Sequence, residues 1–208
     1  MVLDNQRENI DPVLSFFAKI FIKFKPDTLT WMSVVFAFFA GLFFYFSDIK
    51  SYNYFLLIGS LFVFLNGLFD AIDGKVAKLT NQTSKKGDFL DHALDRYADV
   101  FILAGLALSG WCDTRIGIIA IIGMLLTSYM GTQSQAVGYK RNYSGLLGRA
   151  DRIVLLIVFP VIAYFVYETE YFIIWKFNVL EIVLIYFALM GNITAIQRFI
   201  CTLRWFNK

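Results

Sequence analysis

Long apolar runs dominate the sequence, and each is close to the about 20 residues that a helix needs to cross a bilayer. Short polar segments separate the runs, which lie at roughly 29–47, 53–77, 88–110, 115–138, 151–168 and 177–200. With 58% hydrophobic residues and 23 phenylalanines, the chain is too apolar for a soluble domain of 208 residues. The sequence therefore predicts an all-α polytopic membrane protein with six transmembrane helices.

An amphipathic pattern precedes the first run. Apolar residues recur at helical spacing from Val13 to Phe24, and Lys19, Lys23 and Lys25 lie between them. This pattern predicts a helix with a basic face, lying either in the membrane surface or against the protein's own polar side.

The boundary of that helix lies at Pro26, and Asp27 or Thr28 is the predicted N-cap of the next helix. The prediction thus divides the chain into an amphipathic juxtamembrane helix at residues 1–25 and a six-helix membrane domain at residues 26–208.

Basic residues are distributed unequally between the two sides that six spans would create. With a cytoplasmic amino terminus, the cytoplasmic side carries Lys75, Lys78, Lys85, Lys86, Lys140, Arg141, Arg149, Arg152, Arg198 and Arg204. Only Lys50, Arg115 and Lys176 lie across the membrane. Because cytoplasmic loops carry an excess of Lys and Arg, this bias predicts an integral membrane protein with both termini inside.

Four aspartates lie at the junction of the second and third runs. On helices, Asp70 and Asp73 share one face and Asp91 and Asp95 share another, and the polar run between them allows the faces to meet. Facing carboxylates repel one another in a low-dielectric site unless a cation lies between them. Ligation by oxygen alone favours Mg²⁺, Mn²⁺ or Ca²⁺ over zinc. The sequence therefore predicts a divalent-metal site on the cytoplasmic side.

The spacing of these residues resembles the signature of the CDP-alcohol phosphotransferase family. Its fixed positions are matched by Asp70, Asp73, Gly74, Ala77, Gly87, Asp91 and Asp95, while Lys78 stands where the family has arginine. The resemblance implies an enzyme in which an alcohol attacks the β-phosphorus of a CDP-linked lipid and CMP leaves. It also implies a homodimer in membrane lipid. The predicted cofactor is Mg²⁺ or Mn²⁺, and no nucleic-acid partner is expected.

The same resemblance implies roles for individual residues. Asp70, Asp73 and Asp91 would hold the metal, and Asp95 would be the general base and a further metal contact. The nucleotide of the CDP-lipid donor would contact Asp27, Thr30, Gly74, Ala77, Lys78 and Ser84.

A group of arginines lies on the same side as the acids. Arg149 and Arg152 are three residues apart at the start of the fifth run, and Arg198 lies near the end of the sixth. The three either share an anion site or are ordinary membrane anchors. A phosphate monoester fits the first alternative, because each guanidinium offers paired donors to its oxygens.

The acceptor is indicated by the segment GLLGRADR, which resembles one in the phosphatidylinositol-phosphate and archaetidylinositol-phosphate synthases. That resemblance implies inositol phosphate, with glycerol phosphate or another phosphorylated polyol left open. Those synthases usually carry Lys and Arg where this chain has Gly131 and Gln133, and Lys140 and Arg141 are the candidates to compensate. The donor tail, diacylglycerol or archaeol, is not specified by any residue.

Three further polar residues lie beside the motif. His92 is predicted to be structural and to face away from the acid pair. Asp88 is predicted to cap the third helix, to bind nucleotide, or both. Asp99 lies deeper in the membrane, where its charge needs a partner such as Arg96.

Two other classes of protein compete with the transferase hypothesis. Acids inside a membrane also mark ion pathways, so a divalent-cation transporter is one alternative, although its acids would be spread across the bilayer. A non-catalytic membrane scaffold is the other, but it would have no reason to keep four acids and two glycines at these spacings.

Overall fold

The chain is mostly helical in a computed structural model that describes residues 7–51, 53–167, 173–174 and 177–206. The helices in this part of the chain are α1 (Arg7–Ile20), α2 (Pro26–Phe46), α3 (Phe55–Leu79), α4 (Lys85–Ala107), α5 (Thr114–Ala136), α6 (Arg149–Val166) and α7 (Val179–Phe206). Between α6 and α7, the two-residue strands β1 (Ile173–Ile174) and β2 (Phe177–Asn178) pair antiparallel.

The six apolar runs correspond to α2 through α7, and α7 extends furthest beyond its predicted end, to Phe206. The predicted N-cap of α2 was wrong. Lys25 is the N-cap and no side chain caps the helix, because Pro26 already supplies the first helical residue with a fixed φ. Asp27 therefore lies inside the first turn, where its charge complements the helix dipole.

Four of these helices are long and apolar enough to cross a membrane, namely α2, α3, α5 and α7. The predicted class, an integral membrane protein built of helices, is confirmed at this level. Of the six helices that correspond to apolar runs, the other two, α4 and α6, carry more charge. Helix α4 contains Lys85, Lys86, Asp88, Asp91, Asp95, Arg96 and Asp99, and α6 begins with Arg149, Asp151 and Arg152 in its first turn.

Helix α2 packs against both α3 and α4, and so holds the two acid-bearing helices on either side of itself. Glycine permits this approach on the α4 side. A Cβ added to Gly41 would overlap the Phe101 carbonyl, and one added to Gly105 would overlap the Gly41 backbone. In lipid, where apolar burial drives helix association only weakly, such close contact supplies the van der Waals attraction that holds helices together.

The second half of the bundle is formed by α5, α6 and α7. Helix α5 packs against α4 and α7, while α6 packs against α3 and α7. A buried hydrophobic cluster that includes Phe44, Met124 and Phe187 runs through these interfaces. The amino-terminal end of α6 is thereby held next to α3.

Helix α1 packs against α3. Ala18 is fully buried in a small cluster with Leu29 and Ile72, while Phe16 and Ile20 remain exposed. One face of α1 therefore lies against the protein, as one of the two sequence alternatives proposed. Its other face is accessible and mixes apolar side chains with the charged residues Asp11 and Lys19.

Candidate active site

The acid site is built where the carboxyl end of α3 meets the amino end of α4. Asn81 reverses the chain between them with a positive φ of 55°, which asparagine tolerates better than most residues. Ser84 then caps α4 by accepting a hydrogen bond of 3.0 Å from the Gly87 amide. The cap that Asp88 was predicted to provide thus comes from Ser84.

Three of the four motif acids converge on one point. Single carboxylate oxygens of Asp70, Asp73 and Asp91 all lie within 4.8 Å of one another. Asp73 is buried, whereas Asp70 and Asp91 are half-buried. The two helix faces predicted from the sequence to meet are therefore together in the structure.

The oxygens of this cluster suit a hard divalent cation. Asp70 Oδ1 and Asp73 Oδ2 are buried, and within the described residues neither has a hydrogen-bond partner. A buried carboxylate oxygen without a donor is costly, and a cation relieves both that cost and the mutual repulsion. The donor set therefore fits Mg²⁺ or Mn²⁺, held by Asp70, Asp73 and Asp91.

Arg149 connects the acids of both helices. Its Nη1 donates to Asp70 Oδ2 at 2.9 Å, and its Nη2 lies 2.5 Å from Asp95 Oδ1. Asp95, predicted to be the base, is only 6% exposed. The first residue of α6 thus binds one acid from α3 and one from α4.

A second ion pair lies one helical turn further along α4. Arg152 Nη1 donates to Asp99 Oδ2 at 2.8 Å, and Arg96 Nη1 lies 3.9 Å from the same oxygen. The partner that Asp99 was expected to need is therefore chiefly Arg152, with Arg96 more distant. Arg152 is 5% exposed, so this pair is almost fully enclosed.

A cavity of about 560 Å³ opens beside these groups. Its walls carry acids of α4 and arginines of α4, α6 and α7. Residues of α5 and of the segment that joins α5 to α6 complete the lining. The lining residues are Asp91, His92, Asp95, Arg96, Thr127, Ser128, Gly131, Arg141, Asn142, Tyr143, Leu147, Arg149, Ala150, Arg152 and Arg198. The predicted base and the three predicted anion-binding arginines thus face one cavity.

Arg198 reaches this cavity from α7 and is held by two carbonyl groups. Its Nη1 donates to Thr127 O at 2.6 Å, and its Nε donates to Ser144 O at 2.8 Å. Thr127 belongs to α5 and Ser144 to the segment before α6, so one guanidinium joins three parts of the chain.

His92 contradicts the sequence prediction. It lines the cavity, and its Nδ1 lies 3.3 Å from Asp91 Oδ2 instead of facing away from the acids. Its Nε2 contacts Arg141 and lies 3.1 Å from Asp88. His92 directly follows Asp91 on α4, and its ring turns back toward that carboxylate.

The residues predicted to bind the donor nucleotide lie at the start of α2, at the end of α3 and, for Ser84, at the N-cap of α4. Asp27 accepts a hydrogen bond of 2.6 Å from Lys86, which joins α2 to α4. Thr30 is buried and donates to Pro26 O at 3.1 Å. Gly74 borders open space, since a Cβ there would meet nothing within 4 Å.

The other predicted donor residues are accessible or partly so. Lys78 and Ser84 are exposed, and Ala77 is half-buried. Of the two residues suggested to compensate for missing basic groups near the acceptor, Arg141 lines the cavity, whereas Lys140 is exposed and lies outside its lining.

Several lining residues were not singled out from the sequence. Thr127 and Ser128 are adjacent hydroxyl residues within an apolar span, a signal that could have identified them. Asn142 follows Lys140 and Arg141 in a polar segment, which is a weaker signal. Outside the cavity, the contact of Lys86 with Asp27 was also missed, because only the fold brings these two side chains together.

Fold and site together define a membrane-embedded enzyme whose acid cluster adjoins an arginine-lined cavity. The sequence profile of the CDP-alcohol phosphatidyltransferase family matches residues 23–197. The chain belongs to this family, and its identification as a transferase that makes phospholipids is thereby confirmed.

Two related proteins of known name are similar to this chain over most of its length. The archaetidylinositol phosphate synthase of Pyrococcus horikoshii is 29% identical over 153 residues, covering 72% of this chain and 73% of that protein. The phosphatidylinositol phosphate synthase of Cutibacterium acnes is 29% identical over 185 residues, which is 86% of each chain.

Solved structures share the fold. Phosphatidylinositol phosphate synthase of Mycobacterium tuberculosis in complex with manganese and citrate superposes with a TM-score of 0.73 at 20% identity, covering 91% of this chain and 88% of that one. The same enzyme with CDP-DAG bound gives a TM-score of 0.71 at 19% identity, covering 92% and 94%.

Proposed function

We propose that this protein transfers a phosphatidyl-type group, built on diacylglycerol or archaeol, from a CDP-lipid to inositol phosphate. The observation that carries this proposal is the bridge made by Arg149, which joins the acid cluster to a cavity lined by further arginines. Chemistry on a pyrophosphate needs a centre that tolerates anions, and selection of a phosphorylated acceptor needs guanidinium groups beside it.

Asp95 is the proposed general base. It lies on the wall of the cavity and is buried, so a hydroxyl group of the acceptor can reach it without competition from bulk water. As the acceptor oxygen forms its bond to the β-phosphorus, Asp95 takes the hydroxyl proton. The bond from that phosphorus to the bridging oxygen breaks, and CMP leaves with the electron pair.

Asp70, Asp73 and Asp91 are the proposed ligands of Mg²⁺ or Mn²⁺. When bound, the cation supplies positive charge that stabilises the pyrophosphate and the departing CMP. Asp27, Thr30, Gly74, Ala77, Lys78 and Ser84 are proposed to contact the donor nucleotide. The open space beside Gly74 supports this, because a ligand can approach the α3 backbone there.

Arg149, Arg152 and Arg198 are proposed to hold the acceptor phosphate. The Nε atoms of Arg149 and Arg152 are buried and have no hydrogen-bond partner within the described part of the chain. Such donors favour an anion that can accept from them. Arg141 contributes from the cavity wall and Lys140 from the adjoining surface. The relatives that are inositol phosphate lipid synthases support the same acceptor.

The proposed architecture has six membrane spans, in which α4 and α6 cross with the other four helices. Their charges are paired with one another through Arg149 and Arg152, which lowers the cost of placing them at membrane depth.

We further propose that residues 1–25 lie at the membrane surface, that residues 26–208 form one membrane domain and that the active site faces the cytoplasm. A homodimer is proposed from the family.

The experiment is a release assay for CMP with purified protein in lipid nanodiscs. CDP-diacylglycerol or CDP-archaeol is supplied with Mg²⁺ or Mn²⁺, and inositol phosphate, glycerol phosphate, free inositol and serine are compared as acceptors. The proposal expects metal-dependent release that is fastest with inositol phosphate and is reduced by about 10²-fold or more in Asp95→Asn. Preference for serine or free inositol would overturn the proposed anion site. Preference for glycerol phosphate would support the anion site but would change the identity of the acceptor polyol.

A further inference from the structure

The wall of the acceptor cavity contains a position without a side chain, Gly131 on α5. It is buried at the point where α5, α7 and the segment before α6 come together. A Cβ built there would lie 3.0 Å from Arg198 Nη1 and 3.0 Å from the backbone oxygen of Asn142. Ordinary carbon contacts are longer, so any side chain at this position would have to displace both neighbours.

The first of these neighbours has little freedom to move. Arg198 is 7% exposed, and its Nη1 is tied to the Thr127 carbonyl while its Nε is tied to the Ser144 carbonyl. A guanidinium has five N–H donors, so these two bonds orient the plane and leave the remaining donors for the cavity that Arg198 lines. Displacing Nη1 would therefore change the direction of the whole donor fork.

The second neighbour is also fixed. Asn142 donates its backbone amide to Gly131 O at 3.4 Å, and its side-chain oxygen accepts from the Ser144 amide at 3.0 Å and from the Ser144 hydroxyl at 2.6 Å. The carbonyl that orients Arg198 belongs to this same Ser144. A push on Asn142 would thus also reach Arg198 through the segment before α6.

We propose that Gly131 is a positioning residue for the acceptor phosphate. Its missing side chain leaves the space beside α5 in which Arg198 donates to the Thr127 carbonyl while its remaining donors stay available to the cavity. This inference rests on the proposed function, because it takes Arg198 to be a ligand of the acceptor phosphate.

The test is a double-mutant cycle between Gly131→Ala and Arg198→Ala, with CMP release measured at varied acceptor and varied donor. Gly131→Ala is expected to raise the KM for inositol phosphate by about tenfold, the effect of weakening one charge-assisted hydrogen bond. The KM for CDP-lipid should change by less than about twofold, since Gly131 is remote from the donor residues. In the Arg198→Ala background, Gly131→Ala should have no further effect on the acceptor KM, because the group that it displaces is gone.

The matched control is Gln135→Ala, one turn further along α5, where the side chain is exposed and lies outside the cavity lining. It should leave both KM values unchanged. Thermal unfolding of each variant in the same nanodiscs separates loss of fold from loss of position. If Gly131→Ala is less stable and both KM values rise together, its role is structural and the inference is wrong.

The cycle also separates this inference from the proposed function. If Arg198→Ala leaves the acceptor KM unchanged, the anion site proposed for Arg198 fails, and the inference fails with it. If Arg198→Ala raises that KM but Gly131→Ala multiplies it again in the double variant, the anion site stands and the inference alone is overturned.

Discussion

Arg149 Nη2 lies 2.5 Å from Asp95 Oδ1, so the residue proposed as base is in direct contact with a residue proposed to bind the acceptor. The same guanidinium also binds Asp70. The Arg149 side chain is therefore shared between the acid cluster and the cavity proposed for the acceptor. Binding of acceptor phosphate to Arg149 would therefore alter the surroundings of the base. With the roles proposed for these two residues, this arrangement would couple recognition of the acceptor to the start of the reaction.

The first prediction concerns Arg149. Arg149→Ala is expected to raise the acceptor KM and also to lower kcat by about 10-fold or more, because one charge-assisted contact to the base and one to the acceptor are lost together. Arg149→Lys should restore part of the activity, since a point charge cannot reproduce both prongs of the fork. Steady-state assays at saturating CDP-lipid measure both parameters.

Arg115→Ala is the control for this prediction, because Arg115 is an exposed arginine that pairs with Asp113 at the amino end of α5. It should behave as wild type. An Arg149→Lys variant with unchanged kcat and KM would show that the two-pronged contact has no functional role.

The second prediction concerns Asp95. Replacing the base by an isosteric amide, Asp95→Asn, should lower kcat by about 10²–10⁴-fold, the usual contribution of a positioned proton acceptor. The KM for CDP-lipid should change little, because the predicted donor contacts lie elsewhere. Asp48→Asn, outside the site and near the other end of α2, serves as the matched control. Near-normal turnover by Asp95→Asn would remove Asp95 from the mechanism.

The third prediction concerns the metal. Asp73→Asn removes a buried oxygen that lacks a partner among the described residues, and it should weaken Mn²⁺ binding by at least about tenfold. Titration of Mn²⁺ monitored by electron paramagnetic resonance measures this affinity without any turnover. Asp70→Asn and Asp91→Asn should act similarly, whereas Asp48→Asn should not. Equal Mn²⁺ affinity in wild type and all three variants would place the cation elsewhere.

The sequence predicted most of this fold because apolar runs and turn residues are local signals. The pairing of Asp70 and Asp73 with Asp91 was predictable for the same reason, since it follows from helical spacing and one short connection. The contacts of Arg149 and Arg198 were not predictable, because they depend on how α6 and α7 pack against α3 and α5. His92 was mispredicted because helical spacing alone does not determine how its ring turns, and its contact with Arg141 depends on the segment between α5 and α6.

The final prediction separates stability from function at the Asp99–Arg152 pair. Both side chains are largely enclosed, with 14% and 6% of their areas exposed. Removing one charge leaves the other buried and only partly compensated, which costs about 3–5 kcal/mol in comparable pairs. Asp99→Leu should therefore lower the free energy of unfolding markedly, all the more because Arg96, 3.9 Å from Asp99, loses the same neighbouring anion.

The double variant Asp99→Leu/Arg152→Met should recover much of that stability, because two apolar side chains of similar volume often replace a buried ion pair without loss. It should not recover acceptor binding, since the guanidinium that lines the cavity is gone. Denaturant unfolding in mixed micelles gives the stability, and the acceptor KM gives the function. If the double variant bound inositol phosphate normally, Arg152 would be a structural partner of Asp99 and not a ligand of the acceptor phosphate.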